Sequence, residues 1–238
     1  MRTLARSAQQ LNLPLTDAQL RQFWTYSQEV RANADRAGLT AITDAEEIQR
    51  RHFLESLALL AVLERCQALG QRAVDIGSGA GFPGLPIKLM RPELQLTLVE
   101  STRKKAEFLA HLVRRLGLAE VLVMASRAED LAHDPSHREA YDLALARALA
   151  PLPVLVELAL PFLRLGGWLA SPKGSKAIHE VEAAGKALEL CGGRVEAVER
   201  LDVPGGEKAP TLVLVRKLTA TPDRFPRRAG IPAKRPLR

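Results

Sequence analysis

The chain has 238 residues, of which 47% are hydrophobic and 26% charged, a composition typical of a soluble globular protein with a substantial core. Cys66 and Cys191 show no metal-binding or redox spacing, which excludes a zinc scaffold and favours a reducing, cytoplasmic location. No apolar run is long enough to span a membrane. The net charge of +7 is carried by residues 216–238, so a polyanionic partner is expected there.

Residues 1–70 are predicted to form an N-terminal helical extension. Thr16-Asp-Ala-Gln19 is a capping box and predicts a helix. The apolar face of that helix is predicted to comprise Leu20, Phe23, Trp24 and Val30. Thr43-Asp-Ala-Glu46 is a second capping box, which predicts a helix to about residue 62.

Strand-like and helix-like segments alternate from residue 73 onward, which predicts a parallel sheet with helices on both faces. The predicted strands are 73–76, 94–100, 120–125, 141–146 and 167–171, and the predicted helices are 85–90, 102–116, 151–163 and 175–190. Only a loop separates the last two strand-like runs, 194–203 and 211–217, so they are predicted to pair antiparallel. This order, α/β with a C-terminal antiparallel hairpin, is typical of Rossmann-like methyltransferases that use S-adenosylmethionine (SAM). The predicted catalytic domain is 71–218, followed by a basic, Pro- and Arg-rich tail, 219–238.

A glycine-rich loop after the first predicted strand is the most informative motif. It reads Asp75-Ile-Gly77-Ser-Gly79-Ala-Gly81-Phe82-Pro-Gly. Glycines at this density let the backbone turn off a strand and pass close to a ligand. Residues 79–84 satisfy the dinucleotide pattern G-x-G-x-x-G, whereas Asp75 followed by glycines satisfies the pattern of SAM enzymes. Because Asp75 would repel a pyrophosphate but attract the sulfonium or ammonium group of SAM, the loop favours SAM.

Glu100 ends the second predicted strand and is the next candidate cofactor residue. A carboxylate at this position can accept hydrogen bonds from both ribose hydroxyls of an adenosine, and it follows the glycine loop at about the expected 20-residue interval. The alternative is that Glu100 is an ordinary exposed strand end. Together with the glycine loop, it predicts an adenosine site.

Further motifs complete a recognisable set: LTAITD at 39–44, RHFLES at 51–56, RPE at 91–93, SRAE at 126–129, ARA at 146–148 and KG at 173–174. With the extended glycine loop, they resemble the RsmG family, also called glucose-inhibited division protein B. The ending of the chain resembles that of one branch of this family, and the likeness runs from about residue 15 to the end. Members often have Asn where Gly38 stands and Asp where Glu55 stands.

The resemblance implies a cytoplasmic enzyme that methylates N7 of one guanine, guanine 527 in the 530 loop of 16S rRNA, with SAM as cofactor. The implied partner is 16S rRNA within the small ribosomal subunit or an assembly intermediate, and a monomer is expected. The implied cofactor-binding residues are Asp75, Gly77, Gly79, Gly81, Phe82, Glu100, Ser101, Thr102, Ala128, Glu129 and Arg147.

Arg147 ends an otherwise apolar strand and is interpreted as a residue that positions cofactor or guanine. The alternative is an ion pair with Glu157 or Asp142. His52 and Glu55 are either a polar pair or part of an RNA surface, and no metal site is expected.

Two groups of basic residues are predicted to bind RNA. Arg51, Arg127 and Lys173 flank the predicted sheet edge, whereas Arg227, Arg228, Lys234 and Arg235 lie in the tail. The tail prolines make a regular helix unfavourable, and the alternative role is that of a solvated tail that promotes solubility.

Two motifs that the sequence lacks limit which base atom can accept the methyl group. Residues 146–151 lack the Asn/Asp-Pro-Pro-aromatic motif of exocyclic-amine methylation, and neither cysteine lies at the sheet edge to attack a pyrimidine. Guanine N7 already presents a lone pair, so its methylation needs in-line placement and no general base. Two alternatives are kept open: an NAD-dependent oxidoreductase and a noncatalytic RNA-binding protein on the same fold.

Overall fold

A computed structural model of the chain describes residues 1–206 and 209–237, without the side chains of residues 35–37. In this part of the chain, seven strands form one sheet with the order β3-β2-β1-β4-β5-β7-β6. The strands are β1 (Arg72–Ile76), β2 (Gln95–Val99), β3 (Val121–Met124), β4 (Tyr141–Leu145), β5 (Leu163–Lys173), β6 (Gly193–Arg200) and β7 (Thr211–Lys217).

Strands β1 to β5 run parallel, and β7 pairs antiparallel with both β5 and β6. The predicted parallel sheet with a terminal antiparallel hairpin is therefore confirmed. The order reverses beside β1, because β2 lies on one side of it and β4 on the other. In an open α/β sheet, ligands bind outside the carboxyl ends of the strands at such a switch point.

The helices pack on both faces of the sheet. They are α1 (Arg2–Gln10), α2 (Asp17–Ala37), α3 (Ala45–Ile48), α4 (Glu55–Arg65), α5 (Gly84–Met90), α6 (Arg103–Arg115), α7 (Ala128–Leu131), α8 (Leu152–Ala159), α9 (Ala177–Ala183), α10 (Gly185–Cys191) and α11 (Ile231–Lys234). Side chains alternate across the sheet, so Leu143 and Leu145 of β4 join the core beneath α2, α4 and α6, whereas Ala144 joins the core beneath α8 and α10. No helix in the described ranges is long and apolar enough to cross a membrane.

The N-terminal helices are part of the first core. Phe23 and Val30 of α2 are fully buried there, but the prediction that Trp24 lies on the same face is wrong: Trp24 is 56% exposed. The predicted capping box at Thr16 forms, since the Gln19 amide donates to Thr16 Oγ1 and the Thr16 amide donates to Gln19 Oε1. The helix α1, which precedes this box, was not predicted.

The second predicted capping box is wrong by one residue. The cap of α3 is Asp44 and not Thr43, because Asp44 Oδ1 accepts hydrogen bonds from the amides of Glu46 and Glu47. The helix continues beyond the predicted end at residue 62 to Arg65, and a π-helical segment, Gln49–Leu54, lies between α3 and α4. Such wide turns are frequent at functional sites, and this one carries His52 toward the sheet.

Two further element predictions differ from the structure. The helix predicted at 175–190 is two helices, α9 and α10, separated at Ala184. The strand predicted at 167–171 is longer, because β5 begins at Leu163 and pairs with both β4 and β7. The tail also contains the short helix α11, although its prolines predicted none; Pro232 occupies the first turn, where a missing amide costs no helical hydrogen bond.

Candidate functional site

The glycine loop leaves the carboxyl end of β1 at the switch point of the sheet. At Gly79 the φ angle is +57°, and a Cβ there would meet only the Gly77 carbonyl oxygen, at 3.9 Å. Gly81 is needed for a different reason, because a Cβ would lie 2.6 Å from the Tyr26 hydroxyl. The loop therefore presents open backbone at Gly79 and is packed tightly at Gly81.

Asp75 lies beneath this loop and is fully buried. Its Oδ2 accepts a hydrogen bond of 2.9 Å from the Gly84 amide, whereas its Oδ1 has no partner among the described residues. Burial raises the pKa of Asp75 to about 7, opposed by the Gly84 hydrogen bond and by the charge of Arg147. A cation bound nearby would stabilise the ionised form of this buried carboxylate. Because Asp75 is fully buried, it would act on such a cation through its charge rather than by direct contact.

Glu100 lies against the loop, where the sequence placed it. Its Oε2 accepts from the Gly79 amide at 3.0 Å, and its Oε1 accepts from the Thr102 amide at 2.7 Å. The side chains of Ser101 and Thr102 are exposed beside it. Each carboxylate oxygen can accept a second hydrogen bond, so the orientation of Glu100 is fixed while acceptor capacity for two ribose hydroxyls remains.

Ala128 and Glu129 follow β3 and begin α7. The amide of Glu100 donates to the Met124 carbonyl at 3.0 Å, so the end of β3 lies directly beside the Glu100 backbone. The Glu129 carboxylate does not face the glycine loop: its Oε1 accepts from the Gly230 amide at 2.8 Å. What Ala128 and Glu129 can offer a ligand is therefore their backbone. Arg127, which precedes them, is exposed.

Arg147 extends from the carboxyl end of β4 into a cluster formed with the π-helical segment. Its Nη1 donates to Glu55 Oε2 and to the Arg51 carbonyl, both at 3.1 Å, and its Nη2 donates to His52 Nδ1 at 2.9 Å. The proposed alternative partners are wrong, because Glu157 binds Arg227, and Asp142 caps the amides of residues 71 and 72. The Arg147 side chain is only 16% exposed.

The two ring nitrogens of His52 face different groups. Nδ1 lies 2.9 Å from Arg147 Nη2 and 3.1 Å from the Arg51 carbonyl oxygen, and it accepts from the guanidinium in the tautomer that carries the ring proton on Nε2, which lies 3.2 Å from Thr40 Oγ1. Burial, with the charge of Arg147, lowers the pKa of His52 to about 3. His52 is therefore neutral around pH 7 and acts as an acceptor for Arg147. His52 and Glu55 do not pair with each other, since both bind the same guanidinium.

An aromatic stack joins the N-terminal helices to the glycine loop. Phe82 lies between the ring of Tyr26, at 5.1 Å between centroids, and the ring of His52, at 4.5 Å. The Arg147 guanidinium carbon is 5.3 Å from the centroid of Phe82. The Tyr26 hydroxyl donates to the Ala80 carbonyl at 2.7 Å. Tyr26 was not predicted as a residue of this site, because its role depends on contacts more than 50 residues away along the chain.

A cleft of about 1100 Å³ opens beside this cluster, between the ends of β4 and β5. Lys173 lines it but is not free to meet a phosphate: its Nζ donates to the Ala150 carbonyl at 2.6 Å and pairs with Glu180 at 2.9 Å. Glu180 also accepts from the Leu152 amide. Lys173 therefore braces the loop after Arg147, and the interpretation of its side chain as an RNA ligand is not supported.

The loop that Lys173 braces joins the lining of the cleft to the glycine loop. Ala148 has a φ angle of +53°, which is unfavourable for a residue with a Cβ. Leu149 is 40% exposed and covers Gly77 so closely that a Cβ on Gly77 would lie 2.6 Å from Leu149 Cδ1. Leu149, an unpredicted residue of this site, thus both lines the cleft and packs on the glycine loop.

The other basic candidates differ in their availability. Arg51 is exposed at the cleft, and Arg228, Lys234 and Arg235 are exposed in the tail. Arg227 is not available, because it forms a bidentate pair with Glu157, which is fully buried. The tail as a whole is docked on the domain, with Phe225 4% exposed in the second core.

These residues fit SAM. The open backbone at Gly79, the oriented carboxylate of Glu100 and the unsatisfied oxygen of Asp75 suit a nucleoside that carries a positive charge. A pyrophosphate would meet the negative field of Asp75 and Glu100, which argues against a dinucleotide. Within the described ranges, no cluster of three or more potential metal ligands occurs.

Comparisons with known proteins agree with this geometry. A family model described as rRNA small subunit methyltransferase G matches residues 19–207. Ribosomal RNA small subunit methyltransferase G of Roseiflexus castenholzii is 49% identical over 242 residues, and that of Dehalococcoides mccartyi is 44% identical over 237 residues, each alignment covering all of both chains. A solved SAM-dependent methyltransferase from Aquifex aeolicus matches with a TM-score of 0.51 at 18% identity, covering 74% of this chain and 99% of that chain, which is a likeness of fold.

Proposed function

Because this chain belongs to the rRNA small subunit methyltransferase G family and is a SAM-dependent methyltransferase, we propose that it methylates N7 of guanine 527 in the 530 loop of 16S rRNA. The observation that carries the choice of a ring nitrogen is the acid–base character of the site. The acid–base groups that line the cleft are already engaged with cations: His52 and Glu55 bind Arg147, and Glu180 binds Lys173. N7 presents a lone pair and carries no proton, so such a site suffices for it.

SAM would be held at the glycine loop. Glu100 would accept hydrogen bonds from the ribose hydroxyls, the backbone of Ala128 and Glu129 would border the adenine, and the negative field of Asp75 would favour the cationic end. The cofactor supplies an electrophilic methyl group on a positively charged sulfur. Leu149, which packs on the glycine loop and lines the cleft, would exclude water where the cofactor site opens into the cleft.

The guanine would enter the cleft beside Arg147. Its N7 lone pair would attack the methyl carbon in line with the breaking carbon–sulfur bond, and no proton would be transferred in that step. Arg147 is fixed by Glu55, His52 and the Arg51 carbonyl, so its role is to position a reactant rather than to exchange a proton. Neutral His52 is a poor general acid and an already occupied base.

Docking of the RNA would use exposed cations around this edge of the sheet. Arg51 and Arg127 flank the cleft and the cofactor site, and Arg228, Lys234 and Arg235 extend the surface on the docked tail. Each contact with a phosphate releases counterions, which makes the affinity depend on salt. The reaction would take place in the cytoplasm, where the small subunit is assembled, with the enzyme as a monomer.

The proposal is tested by single-turnover methylation of 16S rRNA over a range of pH. At saturating SAM, the rate should be flat from weakly acidic to weakly basic pH, without the bell shape of an acid–base pair. An ionisation near neutrality that disappears in His52→Ala would refute the mechanism. Thermal stabilisation by NAD, with none by SAM, would instead support the oxidoreductase alternative.

A further inference from the structure

The C-terminal segment, residues 221–237, forms a strap across α7. The Gly230 amide donates to Glu129 Oε1 at 2.8 Å, and His133, just beyond α7, contacts the Pro226 carbonyl at 2.8 Å through Nε2. Arg138 joins the same two parts of the chain, because its Nη1 donates to the carbonyls of Ala132 at 3.2 Å and Phe225 at 3.0 Å. Three separate links therefore hold the strap to the segment that begins at Ala128.

The strap is also anchored in the core of the domain. Arg227 donates through Nε and Nη2 to the two oxygens of Glu157, at 2.8 and 2.6 Å, and its amide donates to Glu157 Oε1. Glu157 lies on α8 and is fully buried, so this bidentate pair is a firm anchor. Phe225 packs in the same core as Leu131. The strap is thus part of the folded domain.

Helix α7 depends on such support because of its place in the fold. It has only four residues and follows β3, an edge strand of the sheet, whose residues are half-buried or exposed. On the other side, the end of β3 contacts the backbone of Glu100. The position of the backbone at 128–129 relative to Glu100 is therefore set by the packing of α7 on α8 and by the strap.

We propose that the docked strap positions the backbone that borders the cofactor site. When docked, it fixes the backbone of Ala128 and Glu129 at the distance from Glu100 that the adenosine requires. Glu129 is then a positioning residue, which acts on the cofactor through the strap and not through its own carboxylate. Strap docking and SAM binding favour each other by the same factor, since coupling between two equilibria is reciprocal. This inference rests on the proposed function only in taking residues 128–129 as the adenine wall.

The first test weakens docking without touching the cofactor. Gly230 has a φ angle of +80°, and a Cβ there would meet no described atom within 4 Å, so Gly230→Ala introduces backbone strain and no clash. Gly117→Ala is the matched control: the φ angle of Gly117 is +65°, its Cβ position is equally open within the described structure, and it precedes β3 at the other end of the strand. Calorimetry with SAM alone should show affinity weakened about fivefold or more by Gly230→Ala and less than twofold by Gly117→Ala.

The second test measures the reverse effect, that of SAM on strap docking, in the wild-type protein. Trypsin cleavage after Arg228, an exposed residue of the strap, requires local undocking. Saturating SAM should slow this cleavage by about the factor found for affinity, while cleavage after Arg6, in α1, should not change. The coupling between strap docking and SAM binding is refuted if SAM binds but the two glycine variants bind it equally. It is also refuted if SAM does not change the rate of cleavage after Arg228. Failure of the wild-type protein to bind SAM would overturn the proposed function itself.

Discussion

Replacing Arg147 should separate its structural role from its role in the reaction. In Arg147→Met, Glu55 loses its cation, His52 Nδ1 loses its donor and the Arg51 carbonyl loses one partner. Methionine keeps much of the apolar volume of the arginine stem, so the lost interactions are mainly polar. Removing one side of a buried pair costs about 3–5 kcal/mol, whereas exposed pairs contribute about 0–1 kcal/mol.

The Arg147–Glu55 pair lies between these limits, because its side chains are 16% and 22% exposed. We expect Arg147→Met to lower the free energy of unfolding by about 2 kcal/mol. For a chain of this size, that loss corresponds to a fall in Tm of about 4–8 °C, measured by calorimetry. The control is Arg65→Met, which removes an exposed pair with Glu199, 2.6 Å long, whose two residues do not line the cleft; it should change Tm by less than about 2 °C.

The double variant Arg147→Met/Glu55→Gln completes the test. Replacing Glu55 removes the unpaired carboxylate, so most of the lost stability should return. Methyl transfer to 16S rRNA should remain slow, because no guanidinium is left to position the reactants. The structural role of Arg147 is refuted if Arg147→Met is no less stable than Arg65→Met. Its role in the reaction is refuted if the double variant regains both the Tm and the turnover of the wild-type protein, since Arg147 would then be structural only.

Three other outcomes follow from the same geometry. Gly79→Val should still fold, because its Cβ points into open space, but with lower stability, because valine is strained at a φ angle of +57°. SAM at 100 times its Kd should stabilise the wild-type protein by about 2.7 kcal/mol but should no longer raise the Tm of the variant, and an equal rise in both would contradict the placement of the cofactor. Burial raises the pKa of Asp75 to about 7, so the stability contributed by Asp75 is present at low pH and is lost as the pH rises through 7. Binding of the SAM cation, in contrast, favours the ionised carboxylate. SAM affinity should therefore rise through neutral pH in calorimetric titrations and lose this dependence in Asp75→Asn; an unchanged dependence would assign it to another group. Replacing Arg224, Arg228, Lys234 and Arg235 by Ala should make the slope of log affinity for rRNA against log salt shallower by up to about 2.8, whereas the same change at exposed Arg2, Arg6, Arg21 and Arg114 should not; equal slopes would place RNA docking away from the strap.

The sheet and the cofactor loop could be predicted because their signals are local. Alternation of strand and helix patterns, with no room for a crossover before the last strand, determines a parallel sheet with a terminal hairpin. Glu100 could be placed beside the glycine loop because parallel strands end at the same edge. Neither inference requires knowledge of which side chains meet across long distances.

The partners of charged side chains could not be predicted in this way. Arg147 binds Glu55, which lies 92 positions earlier, and Arg227 binds Glu157, 70 positions earlier. Lys173 resembles a surface cation in sequence, yet a neighbouring loop and Glu180 engage its ammonium group. From its composition, which is basic and rich in proline, the tail resembles a solvated segment. It docks because its own Phe225 packs in the second core and its Arg227 binds the buried carboxylate of Glu157 on α8.

The methyl acceptor can be identified by mapping methyl groups on 16S rRNA after unmodified small subunits, or their assembly intermediates, are incubated with the protein and SAM. We expect one new 7-methylguanosine, at guanine 527 in the 530 loop, and none when Gly79→Val replaces the wild-type protein. A methyl group on an exocyclic amine or a pyrimidine carbon, or transfer to a guanine outside that loop, would refute the proposed function.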